Sequence, residues 1–222
     1  DTLSFAATGM PSAMTMSTAG TMSGTPVNAD VGTHTIIVTA TDSSSAAATA
    51  SDTFVLTVTN TNDAPTVSSA IADASTAEDS AYSLDISGNF ADVDASDSLS
   101  FSATGMPTTL TMSTAGTMSG TPLNADVGVY TIVVTATDGT ASVTDSYDLT
   151  VVNINDAPTV ASANADASTA EDAAYSLDAS GTCTDVDSGD TMAYTISGGP
   201  STITISSGTI SGTPVNADVG TH

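Results

Sequence analysis

The sequence predicts an all-β protein, built as tandem seven-stranded Greek-key β-sandwich domains in a linear array. Three observations predict it. Apolar and polar residues alternate with a period of two through most hydrophobic stretches, the signature of half-buried strands. Long phrases recur: "LSFAATGMPSAMTMSTAGTMSGTP" at 3–26 returns as "LSFSATGMPTTLTMSTAGTMSGTP" at 99–122, and more loosely as "MAYTISGGPSTITISSGTISGTP" at 192–214. Finally, "NTNDAP" at 60–65 returns as "NINDAP" at 153–158, 93 residues later (156 − 63 = 93). That spacing fits one sandwich domain and exceeds the roughly 20–50 residue periods of solenoids.

These repeats divide the chain at its prolines. Residues 66–158 form one complete unit, 1–65 carry the later strands of a preceding unit, and 159–222 the earlier strands of a following one. Within the complete unit a first strand is expected near 66–71. "AYSLDIS" (81–87) turns Tyr82, Leu84 and Ile86 inward, and "SLSFSATG" (98–105) does the same with Leu99, Phe101 and Ala103. "LTMSTAGTMSG" (110–120) reads as a hairpin about Ala115-Gly116 with Met112 and Met118 inward. "VYTIVVTATD" (129–138) buries Tyr130, Ile132, Val134 and Ala136, and "DSYDLTVVN" (145–153) buries Tyr147, Leu149 and Val151. Seven strands put the chain's two crossings at opposite ends of the sandwich, so the domains thread like beads on a rod.

Composition narrows the function. The chain has 222 residues, 40% hydrophobic but only 4% aromatic, which suits several modest cores better than one large one. It carries 25 acidic residues and no Lys or Arg, a formal charge of −25. Nucleic acid and anionic membrane surfaces are excluded as partners, because nothing in the chain grips a phosphate. Nor is any ammonium or guanidinium available to neutralise gathered carboxylates, so such a site needs protons or metal cations from solution. The lone Cys183 forms no intramolecular disulfide and occupies the place of Phe90 (183 − 90 = 93), which predicts a buried apolar role. No apolar run is long enough to span a membrane, so no membrane insertion is expected in this segment. His34 and His222 occupy equivalent positions, have no triad partners and read as exposed structural residues.

The strand directions sort the acids to the domain ends. The leading end of unit 66–158 carries "DVDASD", with Asp92, Asp94 and Asp97, and Asp138 after the sixth strand. The trailing end carries Glu78, Asp126 in "NADVG", and the linker Asn153, Asn155 and Asp156. One joint therefore gathers Asp30, Asp63, Asp92, Asp94 and Asp138 with Asn60 and Asn62. The other gathers Glu78, Asp126, Asp156, Asp185 and Asp187 with Asn153 and Asn155. A hard cation resolves such repulsion, and Ca2+ takes roughly 6–8 oxygens from carboxylates, amide carbonyls, backbone and water. The bland alternative is a merely solubilising acidic surface; the placement of the acids at domain ends favours calcium.

As a set, "AED", "DVD", "NAD…VYTIVVTATDG" and "NINDAP" resemble the calcium motifs of cadherin repeats. "GTISGTP…NADVG" is more similar to dystroglycan-type repeats and to the bacterial immunoglobulin-like repeats of giant surface adhesins and extracellular fibres. The resemblance implies calcium between successive domains, held by Glu78, Asp92, Asp94, Asp126, Asp138 and Asp156. Where the family's first linker Asp is expected this chain has Asn153, and the Leu-Asp-Arg-Glu motif is reduced to Asn-Ala-Asp, which implies fewer or weaker ions.

The expected function is a spacer or fibre segment of a large tandem-repeat surface protein, rigidified by calcium at the joints and located outside the cell or on its surface. Its expected partners are calcium, neighbouring repeats of the same chain and fibre contacts between copies. The alternative is an adhesive module whose exposed loops bind a glycan or a partner protein. No enzyme is expected, since no acid–base pair or nucleophile elbow stands out.

Overall fold

The computed structural model describes residues 2–44 and 48–222, and it is all-β apart from four single turns of 3₁₀ helix. The first repeat comprises β1 (Leu3–Thr8), β2 (Met14–Met16), β3 (Met22–Gly24), β4 (Gly32–Asp42) and β5 (Thr49–Val58). Its sheet runs β1-β4-β5, with β2 and β3 paired separately.

The middle repeat comprises β6 (Thr66–Val67), β7 (Ala74–Ala77), β8 (Tyr82–Asp85), β9 (Phe90–Ala91), β10 (Ser100–Thr104), β11 (Leu110–Met112), β12 (Thr117–Gly120), β13 (Gly128–Thr137) and β14 (Ser142–Val152). One sheet runs β10-β13-β14-β7 and the facing sheet β11-β12-β8, while β6 pairs with β9. The first strand expected near 66–71 is thus two pieces. β6 lies antiparallel to β9, and after a crossing segment β7 joins β14 in parallel, Leu149 opposite Ala74 through Val152 opposite Ala77. The split lets one segment pair first with β9 and then with β14.

The core follows the alternation. Ile132, Val134, Ala136, Tyr147, Leu149 and Phe101 from one sheet meet Ile86, Leu110 and Met118 from the other side, all buried. Phe90 and Phe101 pack tilted, with ring centroids 5.6 Å apart and planes at 59°. Tyr147 donates its hydroxyl to Met118 Sδ at 3.3 Å, so a polar tip is carried inside without a charge. Gly105 ends β10 at φ +79°, and a Cβ there would strike the Thr131 carbonyl oxygen; glycine is what lets the loop close against β13.

The third repeat comprises β15 (Thr159–Val160), β16 (Tyr175–Asp178), β17 (Cys183–Thr184), β18 (Ile203–Ser206) and β19 (Thr209–Gly212), with sheets β15-β17 and β16-β19-β18. Cys183 opens β17 half-buried, less enclosed than Phe90, its buried counterpart in the middle repeat. No helix is long and apolar enough to cross a membrane.

Candidate metal centres at the two joints

The acidic loops after β9 and β17 fold on themselves. The Asp94 N–H donates to Asp92 Oδ1 at 2.9 Å and the Asp97 N–H to the Asp94 carbonyl at 2.9 Å. This turn aims three carboxylates inward, so that ligand atoms of Asp92, Asp94 and Asp97 lie within 4.8 Å of one another. Asp185, Asp187 and Asp190 repeat the arrangement. These clusters can hold a metal ion. Asp97 and Asp190 complete the two clusters yet are absent from the ligand set expected at the joints. Their signal was available as the shared Asp-x-Asp-x-x-Asp spacing of "DVDASD" and "DVDSGD".

The linkers lie on these loops. Asp94, 3% exposed, takes the Asp63 N–H on Oδ2 at 2.7 Å; Asp187, 5% exposed, takes the Asp156 N–H on Oδ2 at 2.6 Å. Asn62 Nδ2 donates to the Asp63 carbonyl at 2.8 Å and to Asp138 Oδ2 at 3.0 Å, which joins the linker to the loop after β13. Among the described residues Asn155 makes only the contact to the Asp156 carbonyl, at 2.9 Å. Asn60 and Asn153 are exposed and make no side-chain hydrogen bond among the described residues.

Glu78 is the most enclosed of the joint acids, at 1% exposure. Its N–H bonds the Val152 carbonyl at 3.0 Å, and Asp79 after it adopts φ +56° and donates to the Pro122 carbonyl at 2.8 Å. The resulting bend tucks Glu78 beneath the trailing linker, where Oε1 takes the Ile154 N–H at 2.7 Å. Among the described residues, Oε2 is buried with no hydrogen-bond partner, and so is Asp92 Oδ2 in the leading cluster. A buried carboxylate oxygen without a donor is costly, and this chain has no Lys or Arg to supply one. Glu171, the repeat counterpart of Glu78, is exposed.

Asp30 and Asp126 are placed differently from the ligands expected of them. Both are buried, and their carboxylates turn back into their own repeat. Asp30 takes the Ser12 N–H at 2.6 Å, the Ser12 hydroxyl at 2.8 Å and the Val27 N–H at 3.1 Å. Asp126 takes the Thr109 hydroxyl at 2.6 Å and the Leu123 N–H at 3.1 Å. Each ties down the 3₁₀ turn that it ends. The residue facing the joint is instead the first of the same turn. Asn28 Nδ2 reaches Asp63 Oδ2 at 2.8 Å and Asp94 Oδ1 at 3.2 Å, and Asn124 Nδ2 reaches Asp156 Oδ2 at 3.0 Å and Asp187 Oδ1 at 3.1 Å. Neither asparagine stands out in the sequence, where the carboxylate two residues on is the expected ligand.

These donors set a pH dependence. The Ser12 hydroxyl, against the opposing effect of burial, holds the Asp30 carboxyl below its ordinary range, helped by the Val27, Ser12 and Ala13 N–H groups. At Asp126 burial pushes upward, but the Thr109 hydroxyl and the Leu123 N–H outweigh it and the net shift is down. Asp138 is lowered chiefly by the Ala141 and Thr140 N–H groups. A lowered folded pKa means that the unfolded chain binds more protons, so stability rises with pH. The contribution is complete above the ordinary aspartate value of about 3.9 and is lost as pH falls through the lowered folded values. Thermal midpoints measured from neutral pH downward should fall in that acid window, and Asp126→Asn should flatten the fall. An unchanged slope would show that Asp126 has no such role.

The half-buried His34 meets the Asp30 carbonyl through Nε2 at 2.7 Å and His222 meets the Asp218 carbonyl at 2.9 Å, a turn contact that explains their equivalent positions.

Comparison with known proteins identifies the repeats. The family described as "Putative Ig domain" matches residues 1–59, 64–152 and 157–222. The chain belongs to that family. Its three Ig-domain stretches leave unmatched only 60–63 and 153–156, the two linkers that carry the joint asparagines and aspartates. No curated protein matches the chain. Among solved structures, human mucin-like protocadherin EC1-2 is 14% identical with a TM-score of 0.52, covering 69% of this chain and 84% of its own. That likeness is one of fold alone. Protocadherin gamma B2 extracellular cadherin domains 1–5 is 17% identical with a TM-score of 0.46, covering 78% of this chain and 36% of its own. The endo-fucoidan hydrolase MfFcnA4 from glycoside hydrolase family 107 is 26% identical with a TM-score of 0.40, covering 97% of this chain. The chain spans 35% of that enzyme's length, and neither of these two weaker likenesses bears on function.

Proposed function

We propose that the chain is a structural spacer or fibre segment of a larger extracellular or cell-surface protein, its Ig-domain repeats 1–65, 66–158 and 159–222 stiffened by Ca2+ at each joint. The observation that carries this reading is Glu78: a glutamate 1% exposed, under an interdomain linker, with one oxygen unpartnered, in a chain that has no basic side chain but two histidines. Asp92 Oδ2 supports it independently at the other joint. The second joint would hold its ion with Glu78, Asp156, Asp185, Asp187 and Asp190, and the first with Asp63, Asp92, Asp94, Asp97 and Asp138, aided by linker amide and backbone carbonyls. Hard oxygens in this number suit calcium better than magnesium, which demands a tighter octahedral shell.

The role is mechanical rather than enzymatic. Acids are gathered where repeats meet, and the linkers are short and end in Pro65 and Pro158, which restrict the backbone at the joint. An adhesive role through exposed loops would act in the same molecule, but no cluster of aromatic side chains suited to sugar stacking favours it. Titration calorimetry of the full chain with calcium tests the metal: saturable binding is expected, and its absence sinks the ligand assignment. X-ray scattering in calcium tests the shape, since the spacer reading requires an extended particle and a compact globule contradicts it.

A further inference from the structure

We propose that Asn28 and Asn124 are positioning residues that latch successive repeats together through Asp94 and Asp187, with no metal required. Each begins a 3₁₀ turn whose last residue, Asp30 or Asp126, is spent on holding that turn in place. The asparagine amide is thereby presented outward on a fixed support. Its two N–H donors then go to two different carboxylates. Asn124 serves Asp156 of the linker at 3.0 Å and Asp187 of the following repeat at 3.1 Å. Asp187 closes the ring by accepting the Asp156 N–H at 2.6 Å on its other oxygen.

Three segments, the preceding repeat, the linker and the following repeat, are thus tied by one circuit of charge-assisted hydrogen bonds, the stronger kind. The first joint has the same circuit, from Asn28 to Asp63 at 2.8 Å and Asp94 at 3.2 Å, with the Asp63 N–H on Asp94 at 2.7 Å. Side-chain chemistry explains the choice of residue. The amide supplies two donors without adding charge to a crowded acidic joint, whereas an aspartate there supplies none and repels. Asp94 and Asp187 are nearly fully buried, and the latch gives both oxygens of each a partner. It also fixes Asp187 beside Asp185 and Asp190, and Asp94 beside Asp92 and Asp97, so the acidic loops are held in shape before any ion arrives.

The latch does not rest on the calcium reading, so it is tested in chelator on the full chain by amide hydrogen exchange. The Asp63 and Asp156 amides should be protected in the metal-free protein. In the Asn28→Ala/Asn124→Ala double variant they should exchange on the order of tenfold faster, while the β13–β14 ladder amides keep their rates. The Asn28→Asp/Asn124→Asp variant keeps the size but loses the donors, and should exchange at least as fast as the alanine variant. Unprotected Asp63 and Asp156 amides in the parent protein would overturn the proposal. So would rates unchanged in the alanine variant, rescue by the aspartates, or an equal acceleration of the ladder amides.

Discussion

Calcium should raise the unfolding temperature of the chain, and Glu78→Ala should remove the share of that gain belonging to the second joint. Ligand binding to the folded state alone stabilises by RT ln(1 + [L]/Kd), about 2.7 kcal/mol for one site at a hundredfold excess over Kd. Glu78 is the proposed ligand whose loss should be hardest to replace, because its Oε1 holds the Ile154 N–H of the linker and its Oε2 has no hydrogen-bond partner among the described residues. Glu78→Gln gives a change of opposite sign in the two conditions. In chelator it removes a buried, incompletely satisfied charge and should hold or raise stability; in calcium it should lower the gain. Asp148→Ala is the control. Asp148 is exposed on β14, takes the Thr131 hydroxyl at 2.7 Å and lies away from both joints. Scanning calorimetry of the three variants with calcium and with chelator separates site geometry from bulk charge. If all three lose the same increment, overall charge governs binding and the site is refuted.

Leu149→Ala should cost the middle repeat about 3 kcal/mol, within the roughly 2–5 kcal/mol typical of buried leucine truncations. Leu149 is fully buried on β14, between the two sheets, where Tyr147 at 3% exposure and Val151 at 2% share its face. The equivalent Leu56→Ala in the first repeat should cost much less. Leu56 has the same pattern around it but is only half-buried, and its neighbour Phe54, in the place of Tyr147, is 42% exposed. Denaturant unfolding of both variants measures the contrast. Equal losses would mean that local strand pairing, rather than the facing sheet, provides most of the stabilisation.

That contrast marks the boundary between what was legible in the sequence and what was not. The all-β class and the inward set Ile86, Phe101, Met118, Ile132, Leu149 and Val151 are readable from alternation and repetition. Alternation fixes which face a strand buries, and strand direction fixes which end a loop occupies; neither needs a neighbour. Pairing does. "ASTA" at 74–77 is β7 because β14 lies beside it, whereas the identical "ASTA" at 167–170 has no counterpart of β14 among the described residues and forms no strand there. Residues 193–197, the counterpart of β10, likewise form no ladder. A strand's hydrogen bonds are made by another segment, so no local sequence carries them.

The same holds at the joints. The sequence places "NAD" near the linker, and its acid is the residue type that a cation contact calls for. Only the tertiary structure decided that Asp30 and Asp126 would face inward, where Ser12, Thr109 and the turn N–H groups satisfy them, and that Asn28 and Asn124 would face across. The physical reason is the geometry of a tight turn. Its third residue folds back onto the donors at the turn's own start, and its first projects away, so the direction of each side chain is set by backbone closure rather than by residue type.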